Sequence, residues 1–91
     1  MRKIEQQMVN AIHTRKGWSL DNTSVQTVGS ISAVYLHGNH IADYSHELHK
    51  LTVNTNTLKR WSTPTTKSRL RALGANVATR KGVTYLDNIA I

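Results

Sequence analysis

Ten side chains between residues 59 and 81 are suited to binding phosphate groups. They are cations and hydroxyl donors, the residue types that contact a nucleic-acid backbone: Lys59, Arg60, Thr65, Thr66, Lys67, Ser68, Arg69, Arg71, Arg80 and Lys81. Free backbone N–H groups at the start of a helix also attract phosphate, and Thr65 and Thr66 are predicted to lie in such a first turn. The pattern predicts a phosphate-binding surface formed by one helix and by a hairpin tip at Arg80 and Lys81.

A short helix over residues 64–73 is predicted to position most of these side chains. Thr63 and Pro64 indicate its start, because a threonine hydroxyl can cap a free N–H and the fixed φ of proline suits the first helical residue. Gly74 indicates its end, because glycine readily adopts the left-handed conformation that terminates helices.

This helix is predicted to have two different sides at 100° per residue. The apolar side consists of Thr66, Leu70 and Leu73. The outward, cationic side, with Arg69 on its flank, consists of Lys67, Ser68 and Arg71. Lys67 and Arg71 repel each other at this i,i+4 spacing, which costs an isolated helix about 0.2–0.5 kcal/mol, so the sequence predicts that an anionic group meets this side.

Positive charge is segregated along the chain, whose formal net charge is +7. Residues 1–49 carry as many acids as lysines and arginines, whereas residues 50–86 carry no acid. The basic residues of that second segment are Lys50, Lys59, Arg60, Lys67, Arg69, Arg71, Arg80 and Lys81. Such a field predicts a polyanionic partner. Nucleic acid, with DNA favoured over RNA, is predicted rather than a membrane, because no basic helix has a wide apolar face.

The histidines raise the question of a metal site. His37 and His40 flank a predicted two-residue turn at Gly38-Asn39, which would place both imidazoles on one face. His46 and His49 are one residue closer than the His-Glu-x-x-His spacing that places two ligands on one side of a helix, and they would alternate to opposite faces of a loop and strand. The sequence therefore predicts no metal site and no cofactor.

Catalytic residues are not predicted either. Asp21 and Asp87 are typical of turns, and no two carboxylates are expected beside a histidine, as acid–base catalysis would require. The serines and threonines lack a nucleophile elbow or a glycine-rich phosphate loop. The chain is predicted not to be an enzyme.

Composition places these residues in one small domain that comprises residues 1–91. A chain of 91 residues buries only somewhat more than ~60% of the surface of its unfolded form, so a thin core is expected. It has no cysteine and no phenylalanine. The absence of cysteine, of a long apolar run and of a signal-peptide pattern predicts a cytoplasmic protein.

The predicted fold class is α+β. A helix is predicted over residues 3–16, followed by an antiparallel meander of three to four strands over residues 23–54, with a polar turn at 54–56. The second, short basic helix comes next, and a C-terminal β-hairpin over 76–79 and 83–86 follows it, with 89–91 as a further short strand. Trp18 is expected to pack on the end of the first helix. Trp61 is expected to pack beneath the basic helix, with base stacking as the alternative.

Three sequence blocks carry a family resemblance: Asn22-Thr23, the run from Leu36 to Ala42, and the run from Trp61 to Leu73. Together they resemble a group of small, mostly uncharacterised proteins encoded by tailed bacteriophages, in which an Asn-Thr pair, a Gly-Asn hairpin followed by Ile-Ala, and a Trp-x-Thr-x-Thr-Thr-Lys-x-Arg-Leu-Asn block recur. The chain departs from that pattern at Arg60, where glycine is frequent, and at Arg71, where asparagine is usual. The resemblance implies a phage origin and no particular activity.

Two functions are therefore consistent with the sequence. The first is a non-enzymatic accessory protein that binds nucleic acid through phosphate contacts. The alternative is a small phage protein that binds and modulates a host or phage protein, with its basic surface against an acidic partner.

Overall fold

Three helices and eight strands make up the computed structural model, which describes residues 1–91. In chain order they are α1 (Lys3–His13), β1 (Trp18–Leu20), β2 (Thr23–Val28), β3 (Ile31–Leu36), β4 (Asn39–Ser45), β5 (Lys50–Val53), α2 (Thr55–Arg60), α3 (Pro64–Ala72), β6 (Val77–Arg80), β7 (Val83–Leu86) and β8 (Ile89–Ala90). Strands β1 to β5 form an antiparallel sheet in chain order, and β6 to β8 form a second one. The α+β prediction is confirmed.

One strand count differs from the predicted fold. The meander has five strands instead of three to four, because Trp18 begins β1, a strand that pairs with β2. The C-terminal hairpin is extended to three strands by β8, in the place where residues 89–91 predicted a short strand.

The core lies between one face of the five-stranded sheet and the helices. Alternate residues of β3, which are Ser32, Val34 and Leu36, are buried on this face, as the period of a half-covered strand requires. The helices add fully buried apolar side chains, namely Met8, Leu58 and Leu70. The core is thin and aliphatic, as the composition predicted.

The hairpin between β3 and β4 turns at His37 and Gly38 instead of at Gly38 and Asn39. Both turn residues have positive φ, 52° and 77°, as a two-residue hairpin of this type requires. Leu36 therefore pairs with Asn39, and Tyr35 with His40, so the predicted pairing of His37 with His40 was wrong by one residue. An irregularity beyond Tyr35 restores the inward register of β4.

The helix boundaries show two further differences. The first helix was predicted over residues 3–16, but α1 ends at His13, where Thr14 caps it and its hydroxyl donates to the Asn10 carbonyl over 2.8 Å. Residues 54–56, predicted as a polar turn, instead begin α2. The Asn54 side chain caps this helix by accepting the Thr57 backbone N–H at 3.1 Å.

A buried ion pair connects α1 to α3 and β2. The Arg69 guanidinium donates to the Glu5 carboxylate over 2.8 Å through Nη1 and to the Thr23 hydroxyl over 3.1 Å through Nε. The Ser68 hydroxyl also donates to Glu5, over 2.6 Å. The side chains of Arg69 and Glu5 are only 4% and 5% exposed. This cluster orients α3 against α1 and the sheet.

The same cluster shifts the ionisation of Glu5. Burial by itself would raise the pKa of this carboxyl, but hydrogen bonds from Ser68 and Arg69, together with the positive charge of Arg69, outweigh it. The pKa of Glu5 therefore lies below its ordinary value, and the folded protein favours the carboxylate.

We expect acid to weaken the fold through Glu5. The pKa of Glu5 in the unfolded chain is about 4.3, and its pKa in the folded protein is lower. The contribution of Glu5 to the free energy of unfolding is therefore fully present above the unfolded pKa and is lost as the pH falls through the folded pKa. Urea unfolding between about pH 3 and pH 7 measures the loss, and Glu5→Gln should reduce its steepness. Glu47→Gln, which changes an exposed acid, is the matched control. An equal acid dependence in the wild type and in Glu5→Gln would contradict this expectation.

Candidate nucleic-acid interface

The predicted orientation of α3 is wrong for part of its cationic side. The start at Thr63 and Pro64 is as predicted, and Leu70 faces the core. However, Arg69 is 3% exposed and Lys67 only 9% exposed. The reason is that α3 contacts α1 and β6 as well as the five-stranded sheet, so its polar flanks face the protein itself.

Lys67 and Arg71 hold the edge strand β6. Lys67 Nζ donates to the Thr79 hydroxyl over 2.5 Å, and Arg71 Nε donates to the Val77 carbonyl over 2.7 Å. These two cations are one helical turn apart, and their partners belong to residues two positions apart on β6. The sequence predicted that an anionic group meets Lys67 and Arg71. In the structure, oxygen atoms of the edge strand β6 accept hydrogen bonds from both side chains.

The predicted phosphate seat at the start of α3 is also occupied by the protein's own groups. The Thr63 hydroxyl accepts the Thr66 backbone N–H at 3.1 Å, and the two threonine hydroxyls are 2.9 Å apart. Thr66 is buried and Thr65 is half-buried. Since the hydroxyl of Ser68 is bonded to Glu5, these polar side chains stabilise the fold instead of facing a partner.

Five of the predicted binding residues remain exposed: Lys59, Arg60, Arg71, Arg80 and Lys81. One of them, Lys59, lines an open cavity of about 540 Å³ between the end of α2 and the three-stranded sheet, and Arg80 and Lys81 directly precede Gly82, another residue of its lining. The cavity is lined by Lys59, Ser62, Gly82, Val83, Thr84 and Ile91. We call these lining residues, together with Arg80 and Lys81 of the adjoining hairpin tip, the basic groove.

The hairpin tip holds its cations in a defined geometry. Lys81 and Gly82 form the two-residue turn between β6 and β7, with φ of 50° and 77°. The Arg80 guanidinium lies 5.1 Å from the centre of the Tyr85 ring, and its Nη2 donates to the Asn88 side chain over 3.2 Å. Arg80 is therefore partly ordered before any partner binds.

The histidines are separated by the fold. His40 lies 2.7 Å from the Asp43 carboxylate and packs against Tyr35, whereas His37 is exposed in the turn. The structure contains no group of three or more histidine and carboxylate side chains that could hold a metal ion. The predictions of no metal, no cofactor and no enzymatic activity remain predictions.

His46 is a buried residue that sequence reasoning placed in a loop. Its Nε2 is hydrogen-bonded to the hydroxyl of Ser32 at 2.7 Å, and that hydroxyl is bonded to Thr27 at 2.7 Å. Burial lowers the pKa of His46, and the nearby charges of Arg15, His13 and His49 lower it further. Ser32 is fully buried, so this chain of hydrogen bonds joins β2, β3 and the end of β4 and offers no accessible nucleophile.

Comparison with known proteins gives one match. The model of a family described as Kyanoviridae Gp96 protein matches residues 1–90. No curated protein and no solved structure matches the chain. None of its helices is long and apolar enough to cross a membrane.

Proposed function

The chain belongs to the Kyanoviridae Gp96 family and is thus a phage-encoded accessory protein, and we propose that it binds nucleic acid, with DNA favoured, through phosphate contacts in the basic groove. The binding is not enzymatic in this proposal. The observation that carries it is the presence of exposed cations at one open groove: Lys59 lines it, and Arg80 and Lys81 directly precede Gly82, which also lines it.

The distribution of charge supports this proposal after the buried cations are set aside. Of the basic residues between 50 and 86, only Lys67 and Arg69 are buried, and the segment contains no acid that could neutralise the others. Exposed cations without paired acids create a positive potential that attracts polyanions and accelerates their association. Double-stranded DNA carries one negative charge per about 1.7 Å of its length, so it is a polyanion suited to such a surface.

The groove also supplies hydrogen-bond donors of the kind that contact phosphate. Lys59 lies on one wall, and Lys81 precedes Gly82 on the other. Thr84 also lines the groove, although this residue is only 8% exposed. Contacts from cations and hydroxyls to phosphates position a backbone without reading its sequence, so weak sequence specificity is expected.

We expect the affinity for DNA to fall with salt. If four to six phosphates are neutralised, log affinity should decrease with log salt at a slope of about −3 to −5. An electrophoretic shift assay across a salt series measures the slope. The variant Lys59→Gln/Arg80→Gln/Lys81→Asn should reduce the slope by about 2 to 3, because each lost phosphate contact removes roughly 0.7–0.9. Asparagine is chosen at position 81 because it tolerates positive φ.

The matched control removes exposed cations at a distance in the chain from the groove. Lys3 begins α1, and Arg15 and Lys16 follow its end, so Lys3→Gln/Arg15→Asn/Lys16→Gln removes three cations, as the groove variant does, without changing the groove. This control should keep most of the salt slope. Equal loss of affinity in both variants would indicate a nonspecific charge effect, and a flat salt response in the wild type would contradict phosphate binding altogether.

An acidic protein partner is the second candidate. It is favoured by exposed apolar side chains near the same cations: Val83 in the groove is 41% exposed, and Ile89 in β8 is 69% exposed. Apolar groups surrounded by cations suit a protein interface better than a phosphate backbone. Retention of a defined protein by the wild type but not by Val83→Ser/Ile89→Ser, with DNA affinity unchanged, would favour this candidate.

A further inference from the structure

We propose that Trp61 stacks on a base of single-stranded nucleic acid held in the basic groove. This inference rests on the proposed function, because the groove cations would hold the strand that presents the base. The expected ligand is a strand with accessible bases, and it should bind in preference to a duplex, whose bases are stacked on each other.

The first observation is the position of the indole relative to the core. Trp61 is 48% exposed and is not among the side chains packed against the core, whereas Trp18 is one of them. One side of Trp61 lines a small cavity of about 60 Å³ together with Leu36, Ile41 and Thr66. The prediction that Trp61 packs beneath α3 therefore holds for part of the ring only, and the rest of the ring faces solvent.

The second observation is that the backbone holds Trp61 in place. Trp61 caps the C-terminus of α2, and its backbone N–H donates to the Thr57 carbonyl over 2.8 Å. The next residue, Ser62, donates through its hydroxyl to the Leu58 carbonyl. The backbone of Trp61 is therefore held at the end of α2, and its half-exposed ring offers a face on which a base can stack.

The third observation is the surroundings of the ring. Lys59 and Arg60 directly precede Trp61, and both are exposed. Lys59 and Ser62, on either side of Trp61 in the chain, both line the basic groove. Single-strand-binding proteins combine a cationic groove with aromatic rings on which successive bases stack, and every base has a face suited to this contact. Trp61 thus lies in the chain between two residues of the basic groove.

The test uses three probes of equal length, about twelve nucleotides, which exceeds the site size of many single-strand-binding folds. The probes are oligothymidine, an abasic strand with the same phosphates, and a duplex. In Trp18→Phe the only remaining indole is Trp61, so its fluorescence reports on this position alone. We expect oligothymidine to quench this fluorescence and the abasic strand to leave it nearly unchanged.

Substitutions at position 61 provide the quantitative test. Trp61→Ala should bind oligothymidine about 5- to 150-fold more weakly, since stacking a base on an aromatic ring contributes that range. The same variant should bind the abasic strand as the wild type does. Trp61→Phe, which keeps an aromatic ring, should retain most of the affinity for oligothymidine. Circular dichroism on each variant establishes that it is folded.

Two outcomes would overturn the inference, and they can be told apart. Equal binding of oligothymidine and the abasic strand, with unchanged fluorescence, would remove Trp61 from the interface and leave the phosphate-binding function in place. Failure of all three probes to bind at low salt would overturn the proposed function and this inference together.

Discussion

Replacing Arg69 with methionine is expected to lower the free energy of unfolding by about 3–5 kcal/mol, because it leaves the Glu5 carboxylate buried without its cation. Arg69 and Glu5 are almost fully buried, and Arg69 also donates to Thr23 on β2. Removing the guanidinium therefore leaves acceptors on two other elements without their donor. Urea unfolding monitored by circular dichroism measures the change.

Two companion variants separate the ion pair from other effects of the substitution. Arg71→Met makes the same chemical change at an exposed position of α3 and should cost much less, mainly the hydrogen bond to Val77. Glu5→Gln/Arg69→Met removes both charges and should recover part of the loss, because no uncompensated charge remains buried. If Arg69→Met were as stable as the wild type, the pair would not hold α3 to α1.

The same variant also tests the role first predicted for Arg69. The sequence placed it in a phosphate-binding surface, but its guanidinium faces Glu5 and Thr23. Folded Arg69→Met protein, measured at low urea, should therefore bind DNA with nearly wild-type affinity.

Local signals in the sequence predicted the boundaries of α3 well. The cap at Thr63, proline at position 64 and glycine at position 74 act through backbone groups within a few residues of themselves. The orientation of its flanks could not be predicted in this way. This orientation depends on Glu5, which lies more than sixty residues earlier in the chain. It also depends on Thr79 of β6, and the sequence does not show that β6 contacts α3.

Strand number and register show the same division between local and nonlocal signals. Alternating β-branched residues predicted β2 and β3, but β1 has only three residues, so its pattern is too short to detect. The turn at His37 and Gly38 was misplaced by one residue because Gly-Asn and His-Gly are both compatible with positive φ there. The burial of Ile41 and Ala42 decides the register, and burial is a property of the whole fold.

The candidate site shows the same division between local and nonlocal signals. Exposed cations were predicted correctly at Lys59, Arg80 and Lys81 because an acid-free segment offers them no partner of opposite charge. The groove that Lys59 shares with the hairpin residues Gly82 and Val83 depends on how the three-stranded sheet docks beside α2, which no local pattern encodes. Separating the cations that hold the fold from those that face solvent therefore requires the tertiary structure.

Leu70→Ala is expected to lower the free energy of unfolding by about 2–5 kcal/mol, through lost burial and the cavity left behind. Leu70 is 0% exposed and belongs to the central core cluster. For a chain of this length the total stability is expected to be about 5–14 kcal/mol, so this one change would remove a large part of it. The second leucine of the apolar side, Leu73, is only partly buried and lies at the C-terminal cap of α3.

Leu73→Ala is therefore the matched control for Leu70→Ala, with an expected cost of about 1 kcal/mol. Both variants make the same chemical change on one side of one helix, so the difference between them reports how deeply each position is packed. Urea unfolding of the two variants, with thermal unfolding as a second measure, gives that difference. Equal costs would mean that the end of α3 packs as tightly as its middle. The cost at Leu70 should be the larger one, because the thin core offers few neighbouring side chains that could relax into the space left by this leucine. A larger cost at Leu73 would contradict the placement of Leu70 between α1 and the five-stranded sheet.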